Sequence, residues 1–258
     1  MSIFGYPIWV ILLICAGVFC ASFMDAIGGG GGIISVPTYL LAGLPVHYAL
    51  GTNKLSSCIG TVASTLRYIR NGCVDWLLGL PSIALALIGA HFGTRLQLAV
   101  DEKYLKLILL IVLPVIAFIL LRKKSMPECR GAMNEWLRRG IVWGASLIVG
   151  AYDGFYGPGT GTFLLLVFCY VAKMDVRTAS GNVKLVNLSS NIGALATSLM
   201  AGKVLIPIGL LAAVFSISGQ YLGAGLALKN GSKIVRPVIL VVLLLLAGKI
   251  VMELFGIL

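Results

Sequence analysis

Lys54 and Lys184 offer the most distinctive chemistry in this sequence, because each stands inside a long apolar stretch. A lysine at the centre of a membrane helix costs about 2.5–3.5 kcal/mol on insertion scales. It therefore faces a cavity or a partner, unless its long stem carries the ammonium back to the headgroups. A polar stripe follows each lysine at helical spacing: Ser57, Thr61 and Ser64 after Lys54, Asn187 and Asn191 after Lys184. Asn53 and Asn182 lie within two residues of the lysines. Upstream, Asp25 precedes the run Gly28 to Gly32, and Asp153 precedes Gly157-Pro158-Gly159-Thr160-Gly161. A helix starting at such a break presents unpaired N–H groups and about half a positive charge, which favours an anion, and glycine lets the backbone approach it closely. Small-xxx-small helix packing is the rival explanation of the same glycines. The anion-site reading takes as ligands Gly29, Gly30, Gly31, Gly32, Asn53, Lys54, Ser57, Gly159, Thr160, Gly161, Asn182, Lys184 and Asn187. Asp25 and Asp153 remain open to capping, to pairing with a lysine, or to carrying a proton.

The two constellations are copies. A shift of 130 residues places Ala49 on Ala179, Gly51 on Gly181, Lys54 on Lys184, Leu55 on Leu185 and Gly72 on Gly202. It also places Gly89 on Gly219 and Gly93 on Gly223, with His91 and Tyr221 between them as packing residues with a polar tip. The duplication covers almost the whole chain.

The elements that hold these residues must lie in a membrane. Of the 258 residues 59% are hydrophobic and 11% charged, and mean hydropathy is +1.01, too little polar surface for a soluble globule. The net charge of +11 sits between apolar runs and forms no aromatic-interleaved patch, so it reads as positive-inside topology and gives no nucleic-acid partner. The six cysteines show no C-x-x-C spacing and the two histidines fall in separate segments, so no metal or cofactor is expected. Phosphate-binding, nucleophile-elbow and metalloprotease motifs are missing, which argues against an enzyme.

Apolar segments are predicted at about 6–25, 33–44, 47–70, 75–98 and 103–121, then at about 140–153, 162–172, 175–200, 204–228 and 232–256. At about 1.5 Å per residue the runs at 33–44 and 162–172 cannot cross a hydrocarbon core of about 30 Å, so each is half of a broken helix. The expected fold is all-α: a first repeat over 1–121, a basic cytoplasmic loop over 122–139, and a second repeat over 140–258. Five segments per half is an odd number, so the second repeat would be inverted and the two short helices would start near the bilayer midplane. With both termini outside, thirteen lysines and arginines fall inside and five outside, leaving Lys54 and Lys184 in the membrane. Parallel halves would give ten against eight. The 32 glycines permit close contacts between subunits as well as within one, which leaves room for a homodimer.

At these residues the sequence resembles the TauE/SafE sulfite exporter family of bacterial and archaeal membrane transporters. The resemblance rests on Asp25-x-x-Gly28 through Gly32, a short helix with Pro37, Gly51-Thr52-Asn53-Lys54, and the weaker copy ending in Gly181-Asn182-Val183-Lys184. In the second copy Pro158 and Thr160 replace glycines, so the half-sites are not chemically equal. The resemblance implies a carrier of sulfur-containing anions such as sulfite, sulfoacetate or related organosulfonates, in the inner membrane of a prokaryote. The expected mechanism is alternating access around a midplane anion site, with Asp25 or Asp153 as proton-coupling candidates. An anion channel, or a carrier of another small carboxylate or oxyanion, is the alternative.

Overall fold

The computed structural model describes residues 2–3, 5–105, 107–108 and 133–230. The chain is an all-α membrane protein whose described helices are α1 (Ile8–Gly28), α2 (Gly32–Leu41), α3 (Val46–Arg70), α4 (Trp76–Ala99), α5 (Glu135–Phe155), α6 (Thr160–Leu166), α7 (Val176–Met200) and α8 (Ile206–Asn230). A π-helical turn, Val167–Val171, continues α6, and a two-residue antiparallel pair, Ser2–Ile3 with Tyr6–Pro7, precedes α1. Side-chain caps set several of the starts. Asp75 accepts from the N–H groups of Leu77 and Leu78, Asn134 from that of Trp136, and Asp175 from that of Thr178, each answering donors that a first turn leaves unpaired.

Polarity runs from the inside out. α1, α4 and α8 are long and apolar enough to cross a membrane, with mean hydropathies of 2.4, 1.6 and 1.5. α3 and α7 are as long but carry buried polar side chains, among them Thr52, Asn53, Lys54, Asn182, Lys184, Asn187 and Asn191. Leu80 and Phe92 of α4, and Val214 and Leu222 of α8, are meanwhile exposed. Apolar groups outside and polar groups within suit a lipid surround, where unpaired polar groups must find partners inside the protein.

The packing is reciprocal between the halves. α3 and α7 run antiparallel, because the start of each lies beside the end of the other. A Cβ added to Gly51 would come within 2.1 Å of the Lys203 carbonyl oxygen, and one added to Gly181 within 1.9 Å of the Cys73 carbonyl oxygen. Gly209 of α8 abuts Leu55 of α3, and Gly79 of α4 abuts Leu185 of α7. α8 follows α1 and α3 in the same sense, through Ser22 with Ser216 and Arg67 with the Tyr221 carbonyl. α4 likewise follows α5 and α7, through Thr94 with the Gly154 carbonyl and His91 with Thr197. α2 folds back along α1, with Gly31 against Ala21 and Gly17 against Thr38.

Several boundaries differ from the sequence expectation. α5 begins at Glu135 instead of 140, because Asn134 caps it, so Arg138 and Arg139 belong to the helix and not to the connecting loop. Arg138 is buried, donating to the Ala172 carbonyl and pairing with Glu135. The short first helix stops at Leu41, three residues before the predicted end, at a turn through Gly43. Asp25 and Asp153 are 128 residues apart whereas the lysines are 130 apart, so the second copy holds two extra residues between them. α2 has 10 residues, and α6 with its π turn spans 160–171, two more. A π turn takes up inserted residues without ending the helix. The segment predicted at 103–121 lies mostly, and that at 232–256 wholly, outside the described residues.

Candidate functional site

The two helix breaks touch. Gly29 adopts φ 76° and ψ 177°, a region that essentially only glycine visits. A Cβ there would lie 2.4 Å from both the carbonyl carbon of Gly161 and the nitrogen of Thr162. Gly32 faces Pro158 in the same way, and Thr162 Oγ1 donates to the Gly28 carbonyl at 2.9 Å. The glycines therefore serve both readings: they let two backbones meet and they open the start of each short helix.

Around this contact each lysine crosses to the aspartate of the other half. Lys54 Nζ lies 2.8 Å from Asp153 Oδ2, and Lys184 Nζ lies 2.7 Å from Asp25 Oδ2. Both lysines are almost fully buried, so headgroup snorkelling does not occur. The four charges sum to zero, and removing any one would leave its partner uncompensated in the interior. The two shells differ. Asp25 also receives Gln220 Nε2 at 2.8 Å, Asn187 Nδ2 at 3.4 Å and the Gly31 N–H at 3.4 Å. Asp153 receives the hydroxyls of Ser190 at 2.6 Å and Thr160 at 2.9 Å.

A polar cavity of about 30 Å³ lies between the two pairs, lined by Asp25, Lys54, Asp153 and Gln220 among others. A water needs about 10–15 Å³ on that measure, so the space takes about two waters and no larger oxyanion without opening. A second cavity, of about 10 Å³, lies across the Asp25–Lys184 pair beside Tyr68, Ser180 and Val183. Lys54 and Lys184 are each the ninth residue of a 25-residue helix, and Ser57, Asn187 and Asn191 reach its middle turns, so the site sits near half-height.

Most sequence-predicted ligands meet here. Gly30, Gly31, Gly32, Asn53, Lys54, Ser57, Thr160, Gly161 and Asn187 line the central cavity with both aspartates, and Gly29 and Lys184 line the second. Gly159 and Asn182 line neither. Gly159 is the left-handed residue (φ 87°) that starts α6. Asn182 precedes Lys184 by two residues, about 200° around the helix, so it points away and donates to the Thr178 carbonyl. Gln220 and Ser190 were not among the expected ligands. Gln220 was readable as an amide inside the apolar helix α8; Ser190 carried no such signal.

The sequence profile described as "Sulfite exporter TauE/SafE" matches residues 13–250. The chain belongs to the TauE/SafE family. "Probable membrane transporter protein ORF9" of a Sinorhizobium species is 36% identical over 91% of this TauE/SafE chain and 90% of its own length. A "probable membrane transporter protein" of Haemophilus influenzae is 32% identical over 94% of each chain, and that named YfcA in Escherichia coli K12 is 33% identical over 92% of this chain and 87% of its own. No solved structure matches. This TauE/SafE protein is accordingly a membrane transporter.

Proposed function

We propose that the protein is a secondary carrier of small sulfur-containing anions, sulfite, sulfoacetate or related organosulfonates, working by alternating access around the central cavity. The observation that carries this reading is the buried polar cavity at the meeting of two helix breaks, closed by two lysine–aspartate pairs that each join opposite halves. An anion entering it would take the place of a carboxylate beside a lysine, with N–H groups at the start of the short helices and Asn53, Ser57 and Asn187 as neutral support. Because each pair bridges the halves, exchanging its partner would loosen one half against the other. A proton on Asp25 or Asp153 would balance the incoming charge.

An inverted relation of the halves fits this mechanism. It is supported by the antiparallel packing of α3 and α7 and by the reciprocal glycine contacts. In this reading the two five-segment repeats are 1–121 and the half that opens with α5 at Glu135, joined at a basic cytoplasmic connection that ends before it. Arg67, Arg70 and Arg177 share one end, where Arg177 reaches the Asn71 carbonyl, and Lys203 lies at the other, which supports a cytoplasmic arginine end and outside termini in a prokaryotic inner membrane.

Flux into proteoliposomes tests the reading, with sulfite, sulfoacetate, thiosulfate, sulfate, phosphate and neutral amino acids as the panel. Wild type is expected to move a sulfur oxyanion with saturation and counterflow, and the Lys54→Gln, Lys184→Gln variant to lose that flux. Preference for a neutral substrate would overturn the anion site. Equal flux in both proteins would remove the lysines from it.

A further inference from the structure

The hydrogen-bond shells of the two aspartates assign them different work. We propose that Asp153 is the residue that takes up the transported proton and that Lys54 is the ammonium it thereby releases to the anion, while Asp25 and Lys184 remain a permanent ion pair. This deepens the carrier reading above and rests on it.

Each hydroxyl around Asp153 has one hydrogen and two acceptors within reach. Ser190 Oγ lies 2.6 Å from Asp153 Oδ2 and 3.1 Å from the Asn187 carbonyl. Thr160 Oγ1 lies 2.9 Å from Asp153 Oδ1 and 2.7 Å from the Gly157 carbonyl. A hydroxyl both donates and accepts. When Asp153 is ionised, both hydrogens can point to the carboxylate. When a proton from solution binds one carboxylate oxygen, the facing hydroxyl rotates its hydrogen to the backbone carbonyl and accepts the new O–H. No heavy atom has to move, and no buried polar group loses its partner.

Asp25 has no such freedom. Its donors are Lys184 Nζ, Gln220 Nε2, Asn187 Nδ2 and the Gly31 N–H, all of which can only donate. The Lys184 ammonium also donates to the Asp25 carbonyl, tying it further to this residue. A proton on Asp25 Oδ2 would meet N–H groups from Lys184, Gln220 and Asn187, and accepting it there would require a side-chain amide to turn over; Oδ1 receives only the Gly31 N–H, at 3.4 Å.

Other titratable groups stand on the elements packed around Asp153. Lys54 comes from α3, and the Asp25–Lys184 pair from α1 and α7 closes the same cavity region. On α5 itself Tyr152 donates to the Pro158 carbonyl and Tyr156 lies in an apolar cluster. On α4 His91 is bonded to Thr197. In the π turn Cys169 sits among apolar side chains and Tyr170 is on the outer surface.

The charge balance is closed. Before binding, the Asp153 carboxylate and the Lys54 ammonium sum to zero. Afterwards Asp153 is neutral, Lys54 keeps its bond to Asn191 Oδ1 at 3.1 Å, and a monoanion replaces the lost carboxylate charge. For a monoanion such as methanesulfonate or hydrogensulfite, proton and anion thus enter together with no net charge added to a buried site.

The test uses full-length protein in proteoliposomes with methanesulfonate, sulfite and sulfoacetate, wild type beside Asp153→Asn and Asp25→Asn. Asp153→Asn copies the protonated state. It should abolish accumulation driven by a pH gradient yet keep anion counterflow within about tenfold of wild type, as expected when the change to substrate contacts is under about 1.4 kcal/mol. Asp25→Asn should lose both. Gradient-driven accumulation by Asp153→Asn, or the reverse pattern between the two variants, would overturn the assignment and leave the carrier reading intact. No movement of any of the three anions by wild type would sink the carrier reading and this inference with it. A measurement needing no variant is proton uptake when methanesulfonate is added to wild type in weakly buffered detergent. One proton per anion is expected, and no uptake would overturn the proposal.

Discussion

Asp25 and Asp153 each lie in the last turn of the opening helix of a sequence repeat, and each pairs with a lysine from the other repeat. Their surroundings nevertheless diverge in kind: N–H donors enclose Asp25, while reversible hydroxyls enclose Asp153. The divergence has several sources in the chain, one being Ser190, whose repeat partner is Gly60. Gln220 has Ala90 as its repeat partner, so only the Asp25 side gains that amide. Thr160 replaces a glycine of the first break, so only the Asp153 side gains that hydroxyl. The two ionic half-sites are thus alike in their lysine–aspartate pairs and differ at single positions on neighbouring helices.

The largest effect that would sharpen this contrast is on stability. Asp25→Ala leaves Lys184 and several N–H donors without their acceptor, and is expected to cost about 3–5 kcal/mol. Asp153→Ala should cost less by about 1–2 kcal/mol, because Ser190 and Thr160 can turn to backbone carbonyls. Thermal unfolding in detergent compares them, and equal losses would break the contrast. A smaller difference is expected between the breaks. Gly29→Ala forces a side chain into the Gly161 backbone from a conformation that resists one, at about 2–4 kcal/mol. At Gly157, where the nearest atom would be Lys54 Nζ at 3.4 Å, alanine should cost only the left-handed backbone, about 1–2 kcal/mol. The smallest effect is a control where the repeats agree. Gly72 and Gly202 turn at φ 65° and 66° with open space around them, so alanine at either should cost the same, about 1 kcal/mol. Unequal losses there would mean that the repeats differ well beyond the site.

Much of the site was legible before any coordinates. Lys54 and Lys184 stood out because charge in an apolar run demands a partner, and the glycine clusters announced breaks because the short runs after them could not span. Gly159 and Asn182 line neither cavity: Gly159 is the left-handed residue that starts α6, and Asn182, though only two residues from Lys184, is turned almost to the far side of the helix. The π turn was invisible because hydrophobic spacing over five residues does not separate it from an α turn.

What the sequence determined by itself is the inventory: a membrane chain, a duplication, two broken helices, two buried lysines and two aspartates near them. Helical period, segment length and the cost of charge in hydrocarbon are local properties, readable one stretch at a time. The tertiary structure alone decided which aspartate meets which lysine. Lys54 bonds a residue 99 positions away and Lys184 one 159 positions away, so each pairing depends on how whole helices cross between the repeats. It decided too that Asp25 faces amides and Asp153 faces hydroxyls, because these donors reach the carboxylates from α7, α8 and α6, whose side chains no spacing along α1 or α5 could bring together.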